Sequence, residues 1–133
     1  MTVGRHQRQL RERQQNITFA LKSCILSGSS VTCHLALTNN GDDRDITLKG
    51  CENPNTKISD QSGRDSDVNY EKLGCRDGEN RSISGTLVAE VPTPADLCFD
   101  KVSSDISSIE LLEIASKVGD KDLKVSSAGF LSL

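Results

Sequence analysis

Five cysteines, two histidines and two groups of aspartates are the side chains with which this sequence could do chemistry. Cys24, Cys33, Cys51, Cys75 and Cys98 contain no C-x-x-C pair, so a zinc site or a thioredoxin-type redox centre has little to stand on. His34 adjoins Cys33, the arrangement a thiol nucleophile and its base would need. Neighbours on a strand point to opposite faces, however, so His34 cannot activate Cys33. His6 lies in the polar N-terminal stretch, and two histidines are few for a metal site or a triad. Asp42, Asp43 and Asp45, and separately Asp60, Ser62, Asp65 and Asp67, offer the oxygen ligands that calcium takes. Neither group follows the EF-hand loop, because Gly63 falls at the fourth place and no glutamate closes the site. Asp60, Asp65 and Asp67 form the calcium candidate, set against the ordinary reading of solvated turn carboxylates. No residue is assigned a catalytic role, and no cofactor is expected.

The elements that would position these residues read as strands. Ile17, Phe19 and Leu21 alternate, as do Val31, Cys33, Leu35 and Leu37, the period of half-buried strands. Between the two runs lies Ser27-Gly28-Ser29-Ser30, and a hairpin closing on Gly28 and Ser29 places Cys24 directly opposite Cys33. Opposed residues at non-hydrogen-bonded sites hold their Cα atoms about 4.5 Å apart, within reach of a disulfide. That bridge is predicted, with Cys51 and Cys75 as the second pair because each sits in a loop rich in Gly, Asp and Asn. Cys98 is left over and reads as a small buried hydrophobe. Further on, Asn39-Asn40-Gly41-Asp42 forces a reversal, Ile46 and Leu48 mark a strand, and Ile58 marks another. The polar segment 61–82 reads as a long excursion between sheets, and residues 83–91 as a strand broken by Pro92 and Pro94. Leu97, Phe99 and Val102 suggest an extended edge, Ile106 to Ala115 a strand, and Leu123 to Leu131 the last one. Many short strands separated by turns favour a two-layer sandwich.

Composition agrees with one such domain. The chain has 133 residues, 35% of them hydrophobic and 3% aromatic, with no Trp, so the core must come from Leu, Ile, Val, Ala and three Phe. The net charge of -3 hides a division. Residues 1–15 carry Arg5, Arg8, Arg11 and Arg13 against Glu12 alone, and the remaining residues carry twelve basic and eighteen acidic side chains. A basic arm, 1–15, thus precedes an acidic body, 16–133. An acidic body repels phosphate backbones, so nucleic acid is not an expected partner for it. The four arginines are the candidate partner-binding residues, suited to the acidic face of a protein partner or of a neighbouring copy. No run approaches the roughly 20 apolar residues of a membrane span, and the first residues lack the apolar centre of a secretory signal. Asn16-Ile17-Thr18 and Asn80-Arg81-Ser82 fit the glycosylation sequon, a pattern short enough to arise by chance.

The run NITFALKSCILSGSSVTCHLALTNNGDD, followed by TKISDQSGR and SGTLVAEVPTPADLCFDKV, resembles the telokin-like, immunoprotective extracellular immunoglobulin-type domains of bacterial surface and secreted proteins. The matching positions are Thr38 with Asn39 at a turn, Asp60 with Gly63, and the stretch from Leu87 to Phe99, within residues 16–115. The resemblance implies an all-β, immunoglobulin-like antiparallel sandwich of seven or eight strands and an interaction role, with no shared catalytic site. It implies an extracellular or particle-surface location, although the sequence shows no export signal and the basic arm is extra. The expected function is a non-catalytic protein-protein interaction module on such a surface. The alternative is a self-assembling subunit of a filament or virion whose arm docks on a neighbouring copy.

Overall fold

The computed structural model describes residues 11–50, 56–73, 76–79 and 82–133. Its elements are twelve strands among the described residues: β1 (Arg11–Gln14), β2 (Ile17–Ser27), β3 (Ser30–Asn39), β4 (Arg44–Leu48), β5 (Lys57–Asp60), β6 (Asp65–Asp67), β7 (Tyr70–Leu73), β8 (Arg76–Glu79), β9 (Ile83–Leu87), β10 (Thr93–Phe99), β11 (Ser108–Val118) and β12 (Lys121–Ser132). They form an immunoglobulin-like sandwich of two antiparallel sheets. One sheet runs β1-β2-β3-β10-β7-β8 and the other β6-β5-β11-β4-β9, with β12 also paired to β11.

The alternation seen in the sequence becomes the packing. On β3, Val31, Cys33, Leu35 and Leu37 are buried while the residues between them are partly exposed, and β10 repeats the pattern with Ala95, Leu97 and Phe99. Facing them are Ile46 and Leu48 from β4, Leu87 from β9, Leu112 and Ile114 from β11, and Val125 from β12. Each Leu, Ile or Phe so enclosed contributes about 1.5–3 kcal/mol relative to exposure.

The opening hairpin forms as its spacing requires. Gly28 takes φ 62°, the left-handed conformation that a two-residue turn with glycine first demands. The register then sets Ser27 opposite Ser30 and Cys24 opposite Cys33, and these cysteines are joined as a disulfide with Cα atoms 4.0 Å apart. A bulge between Leu21 and Ser23 shifts the pairing by one residue, so that Leu21 and Leu35, rather than Lys22, point into the core. Cys51 and Cys75, the other expected pair, lie outside the described residues.

Four expectations give way. The polar segment 61–82 is not a plain excursion, because β6, β7 and β8 occur within it; backbone pairing outweighs its low hydrophobicity there. Phe99 and Leu97 belong to no edge, since β10 is paired on both sides, to β3 and to β7. The strand at 83–91 ends at Leu87, and residues 88–91 form a turn closed by the Val91 N–H donating to the Val88 carbonyl at 3.2 Å. Arg11 and Arg13, assigned to the arm, lie on β1, which pairs with β2 of the same chain.

Candidate functional site

One end of the sandwich is organised by Asn39, the last residue of β3, whose side chain is fully buried. Asparagine suits a turn because its amide can bond the backbone a few residues on, and here it does so repeatedly. Its Nδ2 donates to the carbonyls of Asp42 at 2.6 Å and Leu87 at 3.1 Å. Its Oδ1 accepts from the Gly41 N–H at 3.1 Å and from Arg44 Nε at 3.2 Å. Its backbone carbonyl accepts the Glu90 N–H at 2.7 Å. Arg44 reaches on to the Gln15 carbonyl through Nη2, and the Asn40 N–H donates to the Asn16 carbonyl at 2.7 Å. Three loops are thereby tied together: Gln15-Asn16 between β1 and β2, residues 40–43 between β3 and β4, and 88–92 between β9 and β10.

The third of these loops projects two apolar side chains into solvent. Val88 is 48% exposed and Val91 51%. The turn that carries them has Glu90 at φ 62°, in the third position where glycine is usual, so it is held rather than relaxed. The Ala89 N–H is fixed by Asp43 Oδ1 at 2.8 Å. Exposed carboxylates surround the pair: Asp42, Asp43, Asp45 and Glu90. Beside them, on the outer face of β4 and β9, Asp45, Thr47, Ser84, Gly85 and Thr86 line an open cleft of about 390 Å³. Its polar groups bond one another, Thr47 Oγ1 to Ser84 Oγ at 2.7 Å and Thr86 Oγ1 donating to Asp45 Oδ1 at 2.7 Å.

The calcium candidate is occupied by the protein itself. Asp60 Oδ1 accepts the backbone N–H groups of Ser62 and Arg64 at 2.9 and 3.0 Å, and Oδ2 accepts Arg64 Nε at 2.8 Å. Burial acts to raise the Asp60 carboxyl, but those donors outweigh it and hold the group below the usual carboxylate range. Asp65 is bonded to the Ser59 hydroxyl and to Lys57 Nζ, which lower its pKa likewise. Asp60, Asp65 and Asp67 are therefore not gathered round a common point, and no group of three or more His, Cys, Asp or Glu among the described residues is arranged to hold a metal.

On the outer face of the first sheet, His34 faces away from buried Cys33 and pairs through Nδ1 with Asp96 Oδ1 at 2.6 Å. Cys98 Sγ lies 3.4 Å from Asp100 Oδ1, and burial together with that carboxylate pushes its thiol up, away from a reactive thiolate. Nothing there couples a base to a nucleophile. The most perturbed group among the described residues is elsewhere, at Glu71 on β7. Its side chain is buried, neither carboxyl oxygen has a hydrogen-bond partner, and burial pushes its pKa up to about 9. Sequence reasoning missed Glu71 because a glutamate in a polar segment looks solvated. It missed Val88 and Val91 because alternation continued past the point where the strand stops.

Of the four arginines expected to bind a partner, Arg11 and Arg13 stand at register positions opposite Ala20 and Thr18, and Arg5 and Arg8 lie outside the described residues.

No protein-family model matches the chain, and no curated protein matches it. Among solved structures, it is similar to self-complemented MyfA, the major subunit of Myf fimbriae from Yersinia enterocolitica, with a TM-score of 0.51 and 12% identity over 88% of this chain and 98% of that one. The complex of the same subunit with galactose gives a TM-score of 0.48 over the same shares, at 12% identity. The GAE domain of yeast GGA1 gives 0.45, at 12% identity over 90% and 95%. At 12% identity the likeness with a TM-score of 0.51 is one of fold: it supports an immunoglobulin-like β-sandwich and does not single out the telokin-like family.

Proposed function

We propose that this chain is a non-catalytic protein-protein interaction module that works at a cell or particle surface. The observation that carries the reading is the rigid end of the sandwich, where Val88 and Val91 are held in solvent by the hydrogen bonds of Asn39 and Asp43. Adjacent exposed apolar side chains on a fixed base give a partner area to bury at little cost in ordering. The Cys24–Cys33 disulfide fits an oxidising compartment such as the cell exterior.

A second reading makes the partner another copy of the chain, in a filament or virion to which the basic arm contributes. Two observations favour it: the likeness in fold to a fimbrial subunit across 98% of that subunit, and the division between a basic N-terminal stretch and an acidic body. Size-exclusion chromatography with light scattering on the oxidised chain separates the two. Mass that grows with concentration supports the subunit, and a fixed monomer leaves a module for other proteins. Free thiols at Cys24 and Cys33 in native material would remove the argument for surface placement.

A further inference from the structure

Four large apolar side chains are exposed among the described residues: Ile25, Tyr70, Val88 and Val91. Single exposed apolar residues are ordinary on a soluble surface. Val88 and Val91 are not single, because they are the first and fourth residues of one turn, whose Cα atoms lie within about 7 Å of each other. The turn is anchored on one side by the Asn39 carbonyl and on the other by Asp43, so it cannot fold inward to cover them.

The surroundings specify the partner's charge. Asp42, Asp43, Asp45 and Glu90 are exposed about the pair. Arg44, the cation among them, turns its guanidinium inward to Asn39 and Gln15. The surface is thus an apolar tip within a carboxylate rim, which fits a segment combining apolar and cationic side chains. Residues 1–10 have that composition, with Val3 and Leu10 beside Arg5, His6 and Arg8 and no acidic residue.

Chain direction decides whose segment can reach. β1 begins at Arg11, opposite Ala20, and ends at Gln14, opposite Ile17, where the Gln15-Asn16 turn meets the Asn39 loops. Followed backwards from Gln14 to Arg11, the chain runs away from the valine tip and toward the Ser27–Ser30 end of the β2-β3 hairpin. The chain's own tip thus lies at the opposite end of the sandwich from the one toward which β1 points back, which leaves the tip of another copy as the acceptor to test.

We propose that the Val88–Val91 turn and its carboxylate rim dock residues 1–10 of a second copy, joining copies head to tail. The proposal rests on the self-assembly reading above and names its contact surface. A contact between two different patches does not close on itself as a two-fold dimer does, so it propagates into a ring or an open filament.

The test is light scattering on the full chain and two double variants, V88S/V91S and R5E/R8E, with circular dichroism to establish that each is folded. The wild type is expected to assemble with rising concentration and to do so less at high salt, and each variant to assemble at least about tenfold more weakly. Each variant keeps one intact patch, so mixing the two restores a dimer and nothing larger. Assembly unchanged in both variants overturns the docking surface and leaves self-assembly standing. A wild type that stays monomeric at every concentration overturns both.

Discussion

Asn39 and Glu71 are both polar, both on strands of the first sheet and both almost fully enclosed, at 0% and 1% exposure, yet the protein treats them oppositely. Asn39 meets four partners through its side chain and ties three loops into one end of the molecule. Glu71 meets none, and its carboxyl stays protonated because burial removes the water that would stabilise its charge. Burial therefore says little about a polar group until its partners are counted. The first residue holds a surface in shape; the second lowers the stability of the strand that carries it.

Asn39→Ala gives the largest expected effect. It strands the Leu87 and Asp42 carbonyls, the Gly41 N–H and Arg44, and is expected to cost about 3 kcal/mol in urea unfolding. A loss below that of an ordinary surface substitution would erase the contrast. Glu71→Leu is expected to stabilise by about 2 kcal/mol, because an apolar group of similar size ends an uncompensated burial. A marked loss of stability instead would mean that the carboxyl has a partner.

Two buried carboxyl groups, Glu71 and Asp60, separate by pH. Glu71 has its native pKa raised, to about 9 from 4.5, so below 4.5 it is neutral folded and unfolded. As pH rises from 4.5 toward 9 the unfolded chain releases the proton and the native chain does not, and stability falls. The melting temperature of Glu71→Gln relative to wild type is therefore expected to climb across that interval; a flat difference refutes the assignment. Asp60 has the opposite sign. Its native pKa is lowered from 3.8, so its contribution is present above that value and is lost as pH falls through the native one. Asp60→Asn is expected to cost about 1 kcal/mol at neutral pH and less in acid, read by thermal melts. The smallest effect belongs to V88S/V91S, whose unfolding is expected to stay within about 0.5 kcal/mol of wild type because both positions are on the surface and about half exposed.

What the sequence made legible follows the same physics. Alternation over residues 17–37 and the Gly28 turn were enough to place the hairpin, its register and the Cys24–Cys33 bridge, since each is a local consequence of pleat and turn geometry. The Asn39 turn was visible as a turn, but not the four bonds of its side chain, because Leu87 lies 48 residues away. Asp60 and Asp65 stand out as ligands in the sequence, whereas the oxygens of Asp60 are satisfied by the loop's own backbone and Arg64 and those of Asp65 by Ser59 and Lys57, a pattern no spacing rule announces. Glu71 was invisible for a simpler reason: its register partner is buried Leu97 on β10, far along the chain, and opposed residues share a face.

The placement of β11 carries a consequence for how the molecule is made. It is paired along its length to β12 and also holds β5 through Ile109–Glu113 and β4 through Ser116–Val118. Until those late residues have been synthesised, the two earlier strands lack the neighbour that joins them, and the second layer exists only as fragments with open edges. Folding must therefore wait for nearly the whole chain and close through distant pairings, which makes it slow and leaves unpaired backbone available to other chains in the meantime.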